Sequence, residues 1–114
     1  MPFSEIELKK IDNLVGGLCR KHTSALHKNE LRIEYGIEGG AVVVFASRPH
    51  ANESNLWLKI PVAQMRFARE TGEWTLFWVG ASGNWINDET LHPTQDLLVL
   101  VSQVDLDPHH LMFK

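Results

Sequence analysis

The sequence predicts an α+β fold in two layers, with an N-terminal helix, an antiparallel meander of about five strands and a C-terminal helix. Three observations carry that prediction. A capping signature stands at Ser4, glycine-punctuated runs of alternating apolar residues fill the chain from Leu31 to Asn87, and a helical apolar period follows Pro93. At 114 residues the chain fits one domain, 1–114, with helices over about 4–23 and 94–106 and strands over about 31–87.

Ser4 and Glu7 have the spacing of a capping box, in which each side chain satisfies a backbone N–H at the helix start, and Phe3 is placed to staple onto Leu8. Ile11, Leu14, Val15, Leu18 and His22 then recur at helical spacing as one apolar stripe. Gly16 and Gly17 cost this helix roughly 1 kcal/mol each relative to alanine. The stripe must therefore be held by tertiary contact, or another chain segment must pass close to the glycines.

Counting across the turns gives the strand faces. A Gly39-Gly40 loop sets Ile37 opposite Val42, Tyr35 opposite Val44, Ile33 opposite Ala46 and Leu31 opposite Arg48. A tight loop at Thr71-Gly72 sets Trp74 opposite Arg69, Leu76 opposite Phe67 and Trp78 opposite Met65, and a Ser82-Gly83 loop sets Trp85 beside Gly80. Those registers gather Trp74, Trp78 and Trp85 on one face. Leu56, Leu58 and Ile60 stand at even positions while Met65 and Phe67 stand at odd ones, so the apolar phase flips around Pro61-Val62-Ala63. That flip predicts a bulge or break at Pro61, in a strand near a sheet edge. The stretch from Arg48 to Asn55 reads as a loop too long for a tight hairpin. Pro93 and Thr94 open the second helix, which carries Leu97, Leu98, Leu100, Val101 and Val104 and ends near Asp107-Pro108.

Composition narrows the function classes. A net charge of −3 offers no general attraction to phosphate or anionic lipid and argues against duplex DNA as a partner. No apolar run approaches the roughly 20 residues of a membrane span, and Met1-Pro2-Phe3-Ser4-Glu5 lacks the basic and apolar regions of a signal peptide, so the expected location is the cytoplasm. Cys19 is the only cysteine, which forbids an intrachain disulfide.

Phe3-Ser4-Glu5 with Glu7, Arg48-Pro49, Pro61-Val62-Ala63, Trp74 with Trp78 and Trp85, and the closing Val104-Asp105-Leu106-Asp107-Pro108 with Phe113 resemble a family of small bacterial proteins, the domain of unknown function 3024. The likeness runs in order over nearly the whole chain. One departure is that His50-Ala51-Asn52 follows the Arg-Pro pair where that family often has an aromatic. The resemblance implies a compact bacterial domain and brings no catalytic residues with it.

Chemistry-bearing residues are sparse. Cys19 and His22 share a helix face and supply half of a zinc ligand set, but the bland reading is a buried thiol and a histidine at a helix end, so no metal and no cofactor are expected. His109-His110 reads as a solvated or docked tail. The carboxylate pairs Glu5 with Glu7 and Asp105 with Asp107 are absorbed by helix ends. No Gly-x-Ser-x-Gly elbow, phosphate-binding glycine loop or His-Glu-x-x-His helix occurs, so the residues assemble no acid, base and nucleophile.

The anomaly is the second sheet face. The same registers place Val43, Phe45, Phe77, Val79 and Ile86 there, among Arg32, Glu34, Gln64, Arg66 and Thr75, with Arg66 directly opposite Phe77 for a cation–π contact. Such a face is too apolar to be simply wet. It is covered by the second helix or the tail, or it is a protein interface, most simply that of a symmetric homodimer. A stacking platform for single-stranded nucleic acid needs a basic groove, and only Arg32 and Arg66 are available. The expected function is a non-enzymatic interaction or homodimerisation module acting through Arg32, Val43, Phe45, Gln64, Arg66, Phe77 and Val79. The rival is an enzyme or small-ligand binder with a deep pocket lined by converging polar groups.

Overall fold

A computed structural model describes residues 3–23, 31–50, 52, 55–109 and 111. Helix α1 (Glu5–Ile11) starts where its capping box dictates: the Glu7 N–H donates to Ser4 Oγ at 3.2 Å and the Ser4 N–H donates to Glu7 Oε1 at 2.8 Å. It runs through one π-helical turn (Asp12–Gly16) into α2 (Gly17–His22). A Cβ at Gly16 would stand 2.7 Å from Asp12 Oδ1, and that carboxylate accepts the Tyr35 hydroxyl at 2.8 Å. The group crowding Gly16 is therefore the helix's own Asp12, not a passing chain segment, while Gly17 has open space. Tertiary contact holds the stripe, since Ile11, Val15, Leu18 and Cys19 are all buried in the core. Phe3 reaches across the fold, stacking on Trp74 at 5.7 Å between ring centroids and tilting on Phe67 at 5.8 Å.

Five strands form one antiparallel sheet in sequence order, β1 (Arg32–Glu38), β2 (Ala41–Pro49), β3 (Trp57–Ala68), β4 (Glu73–Val79) and β5 (Trp85–Asn87). The first hairpin has the expected register, Ile37 to Val42, Tyr35 to Val44 and Ile33 to Ala46, closed at Glu38 and Ala41 by a two-residue loop with Gly39 at φ +59°. The second differs by two residues: Phe67 pairs with Trp74, Met65 with Leu76 and Ala63 with Trp78, because the loop spans the four residues 69–72. An even shift leaves every side chain on its predicted face. The third differs by one. The loop holds three residues, 81–83, with Gly83 at φ +85°, and Val79 pairs with Trp85 and Trp78 with Ile86. Trp85 therefore joins the face of Phe77 and Val79 instead of that of Trp74 and Trp78, and Ile86 changes sides with it.

The bulge lies where the phase flip requires it: Val44 pairs with Ala63 and Phe45 with Pro61, leaving Val62 as the extra residue. The strand carrying it is central, which corrects the edge placement. Residues 57–61 nevertheless extend past the last β3–β4 pair at Ala63 and Trp78, so among the described residues only β2 flanks them. The His50 N–H donates to the Leu56 carbonyl, and by alternation along an antiparallel ladder Leu58 and Ile60 also bond toward β2. The odd residues, Pro61 among them, then turn their backbone groups to the unflanked side. A missing N–H costs no ladder bond there.

After β5, the Asp88 N–H bonds to the Leu76 carbonyl, and Thr94 exchanges two hydrogen bonds with Trp74, so the chain follows the outer edge of β4 before it turns into a helix. Thr94 thus belongs to the sheet edge, and the last helix, α3 (Leu97–Asp105), begins later than expected, capped by Asp96 through the Leu98 N–H. It ends at Leu106; Asp107 follows at φ +48° with Pro108 behind it. α1, α2 and α3 all pack on the face of Val42, Val44, Met65, Trp74, Leu76 and Trp78, and together these residues form one core.

Candidate interaction surface

Alternation fixes which side chains leave the sheet away from the helices: Arg32, Glu34 and Glu38 from β1; Ala41, Val43, Phe45 and Ser47 from β2; Trp57, Lys59, Pro61, Gln64 and Arg66 from β3; Glu73, Thr75, Phe77 and Val79 from β4; Trp85 from β5. Val43 and Ala41 are buried yet lie outside the helix-covered core cluster, as residues on the opposite side must. Among the described residues all three helices and Leu111 belong to the covered side, so neither α3 nor Leu111 closes the open face. His110 and residues 112–114 lie outside the described residues.

The open face is organised by cations lying on rings. The Arg66 guanidinium sits 3.7 Å from the Phe77 ring centroid, with Nε donating to Gln64 Oε1 at 2.6 Å. Arg32 lies 4.0 Å from the Trp57 ring and Lys59 5.5 Å from that of Phe45. Each such pair contributes about 0.5–1 kcal/mol at an exposed site. Arg66 reaches Phe77 diagonally, since its direct partner is Thr75 and that of Phe77 is Gln64. The predicted contact exists through a neighbouring register. The seven residues singled out from the sequence, Arg32, Val43, Phe45, Gln64, Arg66, Phe77 and Val79, do share this face. Val43, 1 % exposed, is floor beneath its neighbours. Sequence reasoning missed Trp57 and Lys59, whose face depends on the bulge, and Trp85, whose face depends on the length of the last loop.

The other candidates are engaged in the architecture. Glu7 accepts from both terminal nitrogens of Arg69, at 2.9 and 3.1 Å, and the hydrogen bonds from Arg69 and the Ser4 backbone hold its carboxyl below the usual range. Asp105 accepts from Lys21 at 2.8 Å and lies 2.6 Å from His22 Nε2, contacts that tie α2 to α3 and lower the acid's pKa. Asp107 accepts the Leu111 N–H at 2.8 Å. Burial pushes the Cys19 thiol up to about 12, far from a reactive thiolate. Among the described residues no three His, Cys, Asp or Glu side chains cluster at metal-binding distance.

A cavity of about 540 Å³ lies beside Trp78, lined by Val79, Ile86, Asp88, His109 and Leu111 among others. His109 meets the Trp78 ring edge-on at 4.9 Å. Trp78 Nε1 donates to Asp88 Oδ2 at 2.9 Å, and the Thr90 N–H and hydroxyl donate to Oδ1. Burial opposes ionisation of Asp88, and the Thr90 and Trp78 hydrogen bonds outweigh it and hold the carboxyl below its ordinary value. With both oxygens committed, this carboxylate orients an indole and anchors a loop. No buried side-chain nitrogen or oxygen among the described residues lacks a hydrogen-bond partner.

The family model described as domain of unknown function (DUF3024) matches residues 3–114, and the chain belongs to that family. Neither a curated protein nor a solved structure matches it. No helix among the described residues is long and apolar enough to cross a membrane.

Proposed function

We propose that this DUF3024 member is a non-catalytic binding module that holds a protein partner against its open sheet face. One observation carries the reading: three cation–aromatic pairs and Trp85 stand on a face that no helix of the described chain covers. Aromatic rings with arginine are the composition of interface centres, where they supply large contact area with little side-chain freedom to lose. An open sheet face suits a protein partner, whereas the cavity beside Trp78 offers a carboxylate whose two oxygens are both already hydrogen-bonded.

The test is crosslinking inside the source cell with wild-type chain, Phe77→Glu on the open face and Ile6→Glu, 83 % exposed on α1, as control. Crosslinked protein species present for wild type and Ile6→Glu but lost for Phe77→Glu are expected. Species that survive Phe77→Glu unchanged overturn the reading.

A further inference from the structure

Among the described residues the sheet's edges are closed or blunted everywhere but in one stretch of β1. The outer side of β4 is taken by β5, by the Asp88 N–H on the Leu76 carbonyl and by the Thr94 bridge to Trp74. β5 itself is only three residues long, and the overhanging end of β3 carries Lys59 and Pro61; shortness, lysine and proline all discourage a further strand. β1 is the other edge of the sheet. There Thr23 closes Ile33, its Oγ1 accepting the Ile33 N–H at 2.7 Å and donating to the Ile33 carbonyl at 3.3 Å. Those two bonds show that the odd residues of β1 direct their backbone groups away from β2. Alternation then sends the N–H and C=O of Tyr35 and Ile37 outward as well, and among the described residues no hydrogen bond meets these four groups. No lysine, proline or bulge interrupts β1 here.

A second copy of β1 fits this edge badly. The two-fold antiparallel register that satisfies all four groups sets Tyr35 against the partner's Ile37, and it also sets Glu34 directly against the partner's Glu38, twice. The register centred on Tyr35 instead sets Ile37 against the partner's Ile33, which Thr23 already closes. We infer that the edge takes one extended strand of a different protein, basic at its first and fifth positions and apolar at its second and fourth; this site is separate from the open face. Added antiparallel, the second and fourth residues exchange four hydrogen bonds with Tyr35 and Ile37. Their side chains fall on the helix side, where Tyr35 and Ile37 are partly buried against the core, and extend that apolar row. The first and fifth stand opposite Glu38 and Glu34, which lie about 13 Å apart along the strand. Glu38 is exposed and has no partner among the described residues, and Glu34 uses Oε1 to accept from Ser47 Oγ at 2.7 Å. The two carboxylates that repel a second β1 thus select a cationic strand. The added ladder ends before Arg32, which is engaged within the chain on Trp57.

The probe is the peptide Lys-Val-Thr-Val-Lys with blocked ends, whose charge pattern is the same in either direction. It is titrated into the full chain to roughly 5 mM, a range that populates complexes held by a few net hydrogen bonds, while the backbone amide signals are followed by NMR. Saturating shifts at Tyr35 and Ile37 are expected. Glu-Val-Thr-Val-Glu is expected to give none, and so is the basic peptide N-methylated at both valines, which keeps the charge and loses the ladder donors. Glu38→Lys is expected to weaken the basic peptide by roughly threefold. Amides of Tyr35 and Ile37 that stay in place, or shifts that the acidic or the N-methylated peptide reproduces, overturn the inference. Should Glu38→Lys not fold, the three peptides on wild type decide it alone.

Discussion

The two faces of this sheet are both rich in apolar groups, and they hold them by different means. Under the helices, Val42, Val44, Met65 and Leu76 are fully enclosed and Trp74 and Trp78 nearly so; close packing fixes them, helped at Trp78 by the hydrogen bond to Asp88. On the open side the rings of Phe45, Trp57 and Phe77 remain partly exposed, and each is covered by one cation from a neighbouring residue. The contrast separates residues that make the fold from residues that the fold displays. A core side chain cannot be altered without loss of stability, whereas a ring beneath an arginine can be exchanged at small thermodynamic cost.

That contrast is sharpened or broken by four substitutions, in falling order of effect. Trp78→Ala removes a buried indole and leaves Asp88 Oδ2 without its donor, and is expected to lower unfolding free energy by about 3–5 kcal/mol in a denaturant titration. A loss below about 1 kcal/mol would erase the distinction between the faces. Asp88→Asn tests the polar anchor of the covered side through pH. A lowered folded-state pKa stabilises the native chain above the ordinary value of 3.8 and loses that contribution as pH falls through it toward the folded value. Thermal melts from neutral pH to about pH 3 should therefore fall less steeply for Asp88→Asn than for wild type; parallel curves would refute the anchor. Phe77→Glu, on the open face, is expected to cost no more than about 1 kcal/mol while abolishing the crosslinked partner species, read as crosslink yield against melting temperature. Pro61→Ala is expected to shift stability by less than about 0.5 kcal/mol, because the restored N–H meets no strand. A large gain would place a ladder partner beside that residue.

How far the residues announced this structure follows the period of two. The β1–β2 register was readable because Gly39-Gly40 lies between two alternating runs, and the bulge was readable as the parity change between Ile60 and Met65. The β3–β4 loop was misjudged by two residues without consequence. The β4–β5 loop was misjudged by one, and Trp85 changed faces, because Gly83 signals a left-handed residue but not whether two or three residues form the turn. Hydrophobicity favoured the same mistake: an indole invites burial, yet β5 is three residues long and its Ile86, on the helix side, is 52 % exposed. The open face was correspondingly half legible. Arg66 with Phe77 followed from the hairpin, whereas Lys59 with Phe45 and Arg32 with Trp57 required pairing across the bulge, where sequence offers a phase but no distance.

The single surplus residue at Val62 has a consequence for how this chain can change through descent. Because it offsets the two halves of β3 by one step, removing it would turn over either the half bearing Met65 and Phe67 or the half bearing Trp57 and Lys59, exchanging inside for outside along several positions at once. Point replacements in that strand are local events. A change in its length is a global one, so the spacing between Pro61 and Met65 is a heritable constraint stricter than the identity of any residue within it.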